Sequence, residues 1–176
     1  MTTSQMYALE IVQTPVGTLT ITADSQAVRG VHFGTLSQLD STSRGTIFGD
    51  GRDNLVLQAA SAQLAEYFSG KRQEFDLPLF LDNRTAFQRK VLNLTRQIPF
   101  GSVLSYGELA LQAGSPGAAR AVGAAMAGNP IPIIIPCHRV VGSDRSLHGY
   151  AAPDGIHTKA ILLQLEGHPV VAYKLA

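Results

Sequence analysis

Apolar and polar positions alternate with a period of two in the first part of the chain. Residues 7–12, 19–23 and 28–33 are rich in β-branched and aromatic side chains, and 19–23 alternates strictly. A period of two is typical of a strand with one buried face. Thr14-Pro15-Val16-Gly17 has the composition of a turn. We therefore predict three strands, the second of them half-buried.

The pattern then changes from strand to loop and from loop to helix. Residues 34–53 are rich in Gly, Ser, Thr and Asp, which predicts a loop. Leu55 to Phe68 carries apolar residues at helical spacing, and Gly70 is a candidate cap after it. Residues 75–81 indicate a strand or an extended link. Residues 1–84 are thus predicted to form a small α/β domain.

The second half of the chain is mostly helical by pattern. An amphipathic helix is predicted for 87–95, ending before Ile98-Pro99-Phe100-Gly101. Ser105 and Glu108 form a capping-box pattern at the start of a short helix. After a Gly-rich break, 118–126 predicts another helix, so residues 85–176 are predicted to contain a helix-turn-helix. The fold class predicted is α/β (α+β) with two domains.

The second of these helices consists mainly of small residues, which allow a close approach to a partner. That partner could be a DNA groove, although close packing on a protein neighbour is commoner for such helix pairs.

Composition narrows the cellular setting. The chain has 176 residues, 45% hydrophobic and 15% charged, and no apolar run reaches the length of a membrane helix. A secretory signal is not visible at the N-terminus. The single cysteine excludes an internal disulfide and any site with two thiolates. We therefore expect a cytoplasmic protein with no membrane partner.

Charge is distributed unevenly between the two predicted domains. Residues 1–84 contain six Lys/Arg and nine Asp/Glu, whereas residues 85–176 contain eight Lys/Arg and four Asp/Glu. The net charges are −3 and +4. A mildly basic second domain is compatible with a polyanionic partner.

Candidate chemistry is concentrated at the only cysteine, Cys137. It follows an apolar run closed by Pro136 and directly precedes His138 and Arg139. Positive neighbours lower the pKa of a thiol, and a Cys beside a His is the layout of an activated nucleophile. A lone cysteine can equally be an inert buried residue, because adjacency in sequence does not guarantee contact.

Pro136-Cys137-His138-Arg139-Val140 resembles the active-site signature of the 6-O-alkylguanine-DNA alkyltransferases, also called methylated-DNA–protein-cysteine methyltransferases. Further blocks in the same order resemble this family over nearly the whole chain: Thr14 to Leu19, Thr85 to Gln88, Ile98 to Gly101 with Ser105-Tyr106, Ala118 to Gly123, Gly149-Tyr150, and Leu162 to Glu166. The resemblance implies a ribonuclease-H-like first domain and a catalytic, DNA-binding second domain.

The resemblance also implies a substrate and a way to reach it. The substrate would be duplex DNA with an alkyl group on guanine O6, or less favourably on thymine O4. The base must be flipped out of the stack. Arg120 matches the family's arginine that enters the base stack and fills the space left by the flipped base. Tyr106 matches the residue that helps to rotate the nucleotide. Ala119 and Gly123 would lie against the DNA.

In the implied reaction, Cys137 attacks the alkyl carbon and keeps the alkyl group. His138 takes the thiol proton through an ordered water, Glu166 orients the imidazole, and Asn129 braces the turn that bears the cysteine. Arg139 is interpreted as structural, bridging to a carboxylate. Because the thioether product is stable, one molecule would repair one lesion without a cofactor.

The substrate pocket implied by the resemblance is lined by Tyr106, Met126, Val140, Tyr150, Ala151 and Lys159. Two departures from the family pattern stand out. The loop 151–158 is about two residues longer than usual, which leaves the preferred adduct size open, and Leu92 replaces a common tryptophan. Structural zinc is not expected, because the first domain lacks cysteine.

Three alternatives remain at the level of sequence. The chain could bind alkylguanine in DNA without efficient transfer, or act as a Cys-His hydrolase with multiple turnovers. A metal site from Cys137, His138, His148 and His157 lacks tight ligand spacing. Otherwise we expect no metal, and a monomer that could cluster on DNA.

Overall fold

The computed structural model describes residues 5–39 and 47–176 of the chain. They divide into two units, the first ending at Leu81 and the second beginning at Asp82. The sequence predicts a boundary after Arg84. The structure assigns the linker to the second unit, where Arg89 Nη1 donates to the carbonyls of Asp82 (3.4 Å) and Arg84 (2.6 Å).

A four-stranded sheet forms the N-terminal unit. Its strands are β1 (Met6–Thr14), β2 (Gly17–Ala23), β3 (Val28–Phe33) and β4 (Ile47–Asp50), in the order β3-β2-β1-β4. The first three are antiparallel neighbours, as short turns allow, whereas β4 runs parallel to β1. The three predicted strands are therefore confirmed.

Two expectations about this sheet are wrong. Strand β2 is buried from Leu19 to Ala23 rather than half-buried, because it is an inner strand and the Thr20 hydroxyl donates to the Gly34 carbonyl (2.8 Å). The predicted loop 34–53 contains strand β4 and a 3₁₀ turn, Leu36–Gln38. Gly and Asp in β4 mask its strand character, which comes from pairing with β1. The rest of this prediction, 40–46, lies outside the described residues.

Helix α1 (Leu55–Phe68) contacts β1, β2 and β3. Its start is fixed by Asn54, whose side chain accepts from the Leu57 amide at 3.0 Å. It buries Leu57, Ala60, Leu64 and Tyr67, the apolar stripe that predicted it. Residues 75–81 form an extended link, with a single bridge from Leu79 to Val28.

Three helices pack together in the C-terminal unit: α2 (Ala86–Arg96), α3 (Tyr106–Gln112) and α4 (Ala119–Ala127). The predicted capping box of α3 is present, since Glu108 N donates to Ser105 Oγ and Ser105 N donates to Glu108 Oε2. Such a cap stabilises a helix by about 1 kcal/mol. The helix-turn-helix of α3 and α4 is confirmed.

The remaining elements of the C-terminal unit are four short strands and one α-helix. Strands β5 (Leu104–Ser105) and β6 (Val140–Val141) pair in parallel, and helix α5 (Ile156–Leu165) follows. A C-terminal hairpin consists of β7 (Val170–Val171) and β8 (Lys174–Leu175). Helix α5 begins at Ile156, so the last three residues of the predicted loop 151–158 are helical. Within the described ranges, no helix is long and apolar enough to cross a membrane.

Candidate active site

Cys137 lies on a tight, buried turn in the C-terminal unit. Pro136 has φ −80° and ψ 65°, the conformation of an inverse γ-turn, and the Cys137 amide donates to the Ile135 carbonyl at 2.8 Å. A single 3₁₀ turn, Cys137–Arg139, follows and leads directly into β6. The ring of Pro136 fixes its own φ, which restricts the backbone that leads into Cys137.

Asn129 holds the segment before the cysteine. Its amide nitrogen donates to the Ile135 carbonyl (2.9 Å), and its amide oxygen accepts from the Ile131 nitrogen (3.0 Å). Between these points Ile133 has φ +73°, a conformation that a β-branched residue adopts only when its surroundings require it. The Asn129 side chain supplies that requirement by closing the loop from both ends.

The thiol environment differs from the one that adjacency in sequence suggested. Cys137 is 5% exposed, and burial raises the pKa of its thiol. Hydrogen bonds from Asn129 and Tyr150 and the charge of Lys159 oppose this shift. The expectation of a lowered pKa is therefore wrong in its net direction, because desolvation outweighs the neighbouring positive charges. At neutral pH the group is a thiol and needs a base.

The two residues that follow Cys137 in the chain belong to a buried network. The His138 Nε2 donates to Glu166 Oε1 at 2.9 Å, and Arg139 forms two bonds of 2.8 Å to both oxygens of the same carboxylate. Arg139 also donates to the Ile98 carbonyl (2.5 Å). All three side chains are at most 5% exposed. Arg139 thus bridges to a carboxylate, and that carboxylate is Glu166.

Protonation in this network follows from burial and charge. Burial lowers the pKa of His138, and Glu166 only partly offsets this, so the imidazole is neutral near pH 7. Burial alone would raise the pKa of Glu166, but His138 and Arg139 hold it well below its usual range. Because Nε2 donates to the ionised carboxylate, Nδ1 carries the lone pair. This buried Nδ1 has no hydrogen-bond partner among the described residues.

Lys159, on α5, connects the cysteine turn to α3. Its ammonium donates to the carbonyls of Val140 (2.6 Å) and His148 (3.3 Å), and to the Tyr106 hydroxyl (3.5 Å). Burial lowers the pKa of Lys159 to about 8. Burial raises the pKa of Tyr106, and the negative charge of Cys137 in its thiolate form raises it further. The parallel pairing of Leu104 with Val140 aligns the two segments.

Arg120 and its neighbours lie on α4. Arg120 is exposed, and Ala119 begins the helix. Gly123 faces Tyr106: a Cβ built on Gly123 would lie 4.0 Å from the phenol ring. The small residues of α4 thus allow Tyr106 to lie against the helix, while Arg120 remains accessible to a partner.

For three predicted pocket residues, Met126, Tyr150 and Ala151, the structure gives burial or core contacts rather than a place in a pocket. Met126 is 6% exposed, and its sulfur accepts a hydrogen bond from Thr95 on α2 (3.6 Å), so the contact seen is with the helical core. Tyr150 is half-buried and Ala151 is exposed. Ala151 precedes α5 in the loop 151–155, and its role in a pocket stays a prediction.

Sequence reasoning missed two features of this region. The carbonyl of His148 accepts a hydrogen bond from Lys159, and the C-terminal hairpin pairs with residues 145–147, just before His148. A backbone acceptor leaves no signal in side-chain identity. For the metal alternative, the described part of the chain holds no group of three or more His, Cys, Asp or Glu suited to a metal ion.

Comparisons with known families cover both units. The ribonuclease-like domain of 6-O-methylguanine DNA methyltransferase matches residues 7–81, and its DNA binding domain matches residues 86–168. A Mycobacterium leprae protein named methylated-DNA–protein-cysteine methyltransferase is 41% identical, over 89% of this chain and 90% of its own. A Methanosarcina acetivorans protein of the same name is 38% identical, over 89% and 96%.

Solved structures agree with the sequence relatives. The Mycobacterium tuberculosis O6-methylguanine methyltransferase has a TM-score of 0.79 and 40% identity, covering 92% of both chains. The Mycobacterium tuberculosis protein in complex with DNA has a TM-score of 0.76 and 40% identity, covering 92% of this chain and 91% of its own. With both units matched in order, this chain belongs to the 6-O-methylguanine DNA methyltransferase family.

Proposed function

We propose that this protein repairs alkylated DNA by transferring the alkyl group from O6-alkylguanine, and less from O4-alkylthymine, to its own Cys137. The observation that carries the proposal is the buried His138–Glu166 hydrogen bond, made by the residue that directly follows the buried Cys137 in the chain. The family membership and the DNA complex of a relative support DNA as the substrate. A raised thiol pKa makes a base necessary. The neutral His138, whose Nδ1 has no hydrogen-bond partner among the described residues, supports the proposal that it is this base.

The transfer is a single displacement. A bond forms between Cys137 Sγ and the alkyl carbon while the bond from that carbon to guanine O6 breaks, and its electron pair stays on the oxygen. The thiol proton passes to His138 Nδ1, directly or through water, and Glu166 stabilises the resulting imidazolium. The Lys159–Tyr106 pair stabilises the charge that develops on the base, because Lys159 polarises the phenol as a donor.

The thioether product is stable, so each molecule reacts once. We propose that Asn129 acts on the thiol by fixing its turn, and that Val140, Tyr150 and Ala151 border the flipped base, with Met126 behind them. We propose that the protein acts as a monomer, several copies of which could gather along DNA. Since Cys137 must stay reduced, we place the protein in the cytoplasm.

Intact mass spectrometry tests the proposal. The protein is incubated with a duplex that contains O6-methylguanine, and we expect a mass gain of one methylene, which peptide mapping assigns to Cys137. The gain should stop at one equivalent. If the protein binds the duplex and gains no mass, the alternative of a damage-binding protein without transfer is correct. Continued product formation beyond one equivalent would indicate a Cys-His hydrolase.

The role of Arg120 gives a separate prediction. Arg120→Ala should lower the rate of transfer from duplex DNA about 10²-fold, because the flipped state loses the side chain that fills the stack. The thermal midpoint should change little, since Arg120 is exposed. Single-turnover kinetics and thermal unfolding measure the two effects.

Two controls make this prediction specific. A free alkylguanine base needs no flipping, so Arg120→Ala should react with it at the wild-type rate. Arg52→Ala, at an 82% exposed arginine of the N-terminal unit, should leave transfer from the duplex unchanged. Equal losses on duplex and free base would refute the flipping role.

A further inference from the structure

The C-terminal hairpin of β7 and β8 lies beyond the residues that match the family's DNA binding domain, which end at His168. Its register pairs Val170 with Leu175 and Val171 with Lys174. Ala172 and Tyr173 form the turn with φ of +49° and +58°. Two consecutive left-handed non-glycine residues are uncommon and persist where surrounding contacts hold them.

Those contacts join the hairpin to residues 145–147. The Leu147 amide donates to the Tyr173 carbonyl (2.8 Å), and the Leu175 amide donates to the Arg145 carbonyl (3.2 Å). Ser146 and Lys174 form an antiparallel bridge. Strand β8 therefore lies between β7 and residues 145–147, and each of these three residues takes part in the pairing.

Apolar packing supports the same arrangement. Val141, Leu147, Ala160 and Leu163 form a buried cluster, against which Val170 and Leu175 of the hairpin pack. Val141 belongs to β6, directly after the cysteine turn, and Ala160 follows Lys159 on α5. The hairpin thus contacts the back of both elements that carry active-site groups.

The segment that the hairpin holds leads directly into the candidate pocket. After Leu147, the His148 carbonyl accepts from Lys159 (3.3 Å), and the His148 ring centre lies 6.1 Å from that of Tyr106. The imidazole is oriented by Ser146, whose hydroxyl lies 3.1 Å from its Nε2 and donates to Asp144 (2.5 Å). Hydrogen bonds therefore connect β8 to Lys159 and Tyr106 through one short segment.

We infer that the C-terminal hairpin is a positioning element for the substrate pocket: by pairing with residues 145–147 it fixes His148, and through His148 the places of Lys159 and Tyr106. The inference rests on the proposed function, since it assigns the hairpin to alkyl transfer. If the hairpin only covered the apolar cluster, changes in it would affect the stability of the fold and not the reaction rate. A positioning element also affects the reaction rate of protein that is fully folded and saturated with DNA.

Paired substitutions at Ala172 test the inference. Ala172→Val places a β-branched residue where φ is positive and weakens the turn, whereas Ala172→Gly relieves it. We expect Ala172→Val to lower the protection of the Leu147 amide against hydrogen exchange about tenfold. The single-turnover rate at saturating O6-methylguanine duplex should also fall about tenfold, because small displacements at a reacting centre lower the rate steeply. DNA affinity should stay within about twofold, because phosphate contacts dominate it. Ala172→Gly should match the wild type.

A chain ending at His168 and the variant Leu175→Pro, which lacks the amide that bonds to Arg145, remove the pairing by other routes. Any folded variant that loses Leu147 protection and keeps the wild-type saturating rate overturns the inference, and a parallel fall in both supports it. Thermal unfolding identifies which variants are folded. A wild-type protein that forms no adduct would contradict the proposed function itself, which separates that failure from a failure of the hairpin inference.

Discussion

Cys137→Ser is expected to bind alkylated duplex DNA and transfer nothing. The hydroxyl is a far weaker nucleophile than a thiol whose proton a neighbouring base can accept, so the transfer rate should fall at least about 10⁴-fold. Binding should remain within about twofold of the wild type, since the backbone contacts that dominate affinity are untouched. Intact mass after incubation and fluorescence anisotropy with the same duplex measure the two quantities.

The single cysteine simplifies the control for this variant. A thiol reagent can label only Cys137 in this sequence, so the wild-type protein after reaction with methylated duplex should resist labelling. Cys137→Ser should resist it from the start. A methylene gain in the serine variant, or full labelling of the reacted wild type, would show that the alkyl group goes elsewhere.

Short-range features of the fold were predictable from sequence because they depend on neighbouring residues. The capping box of Ser105 and Glu108, the helical spacing of 55–68 and the alternation of 19–23 each determine a local structure. Strand β4 was not predictable, because its strand character depends on a parallel partner about 40 residues earlier in the chain. The burial of Thr20 follows from sheet order, which the pattern of one strand does not contain.

The same limit applies to the candidate site. Motif resemblance predicted which residues belong to it, but the direction of the thiol pKa shift required burial, which outweighs the charge of adjacent residues. The positive charge of Arg139, for example, is adjacent to Cys137 in sequence, but its guanidinium donates hydrogen bonds to Glu166 and to the Ile98 carbonyl. The C-terminal hairpin left no turn signal, because Ala172-Tyr173 lacks the glycine or asparagine that such turns usually contain.

Glu166→Gln should have the largest effect on stability. Glu166 is the common acceptor for His138 and Arg139, and all three side chains are buried. The neutral amide leaves the Arg139 charge without a counter-ion, and breaking one partner of a buried pair costs about 3–5 kcal/mol. Transfer should also fall about 10²-fold, because the imidazolium that forms when His138 accepts the thiol proton is no longer stabilised. Denaturant unfolding and single-turnover kinetics measure these losses.

The pH dependence of unfolding separates Glu166 from His138. Both pKa values are lowered by folding, so each group contributes stability at high pH that is lost as pH falls below its ordinary value, 6.5 for His138 and 4.5 for Glu166. The wild type should therefore lose stability in two ranges. Glu166→Gln should keep the loss that begins near 6.5 and lack much of the further loss below 4.5. An unchanged acid profile below 4.5 would show that Glu166 is not the group that titrates.

Glu108→Gln is the matched control for stability. Glu108 is exposed, and glutamine can also complete the capping box with Ser105, so the free energy of unfolding should change by less than about 0.5 kcal/mol. A double-mutant cycle of Glu166→Gln with Arg139→Met then tests the shared network. The double variant should lose much less unfolding free energy than the sum of the two single variants, because it leaves no unpaired charge buried at this site. Additive losses would mean that the two residues act independently, and Glu166 would then have to orient His138 without help from Arg139.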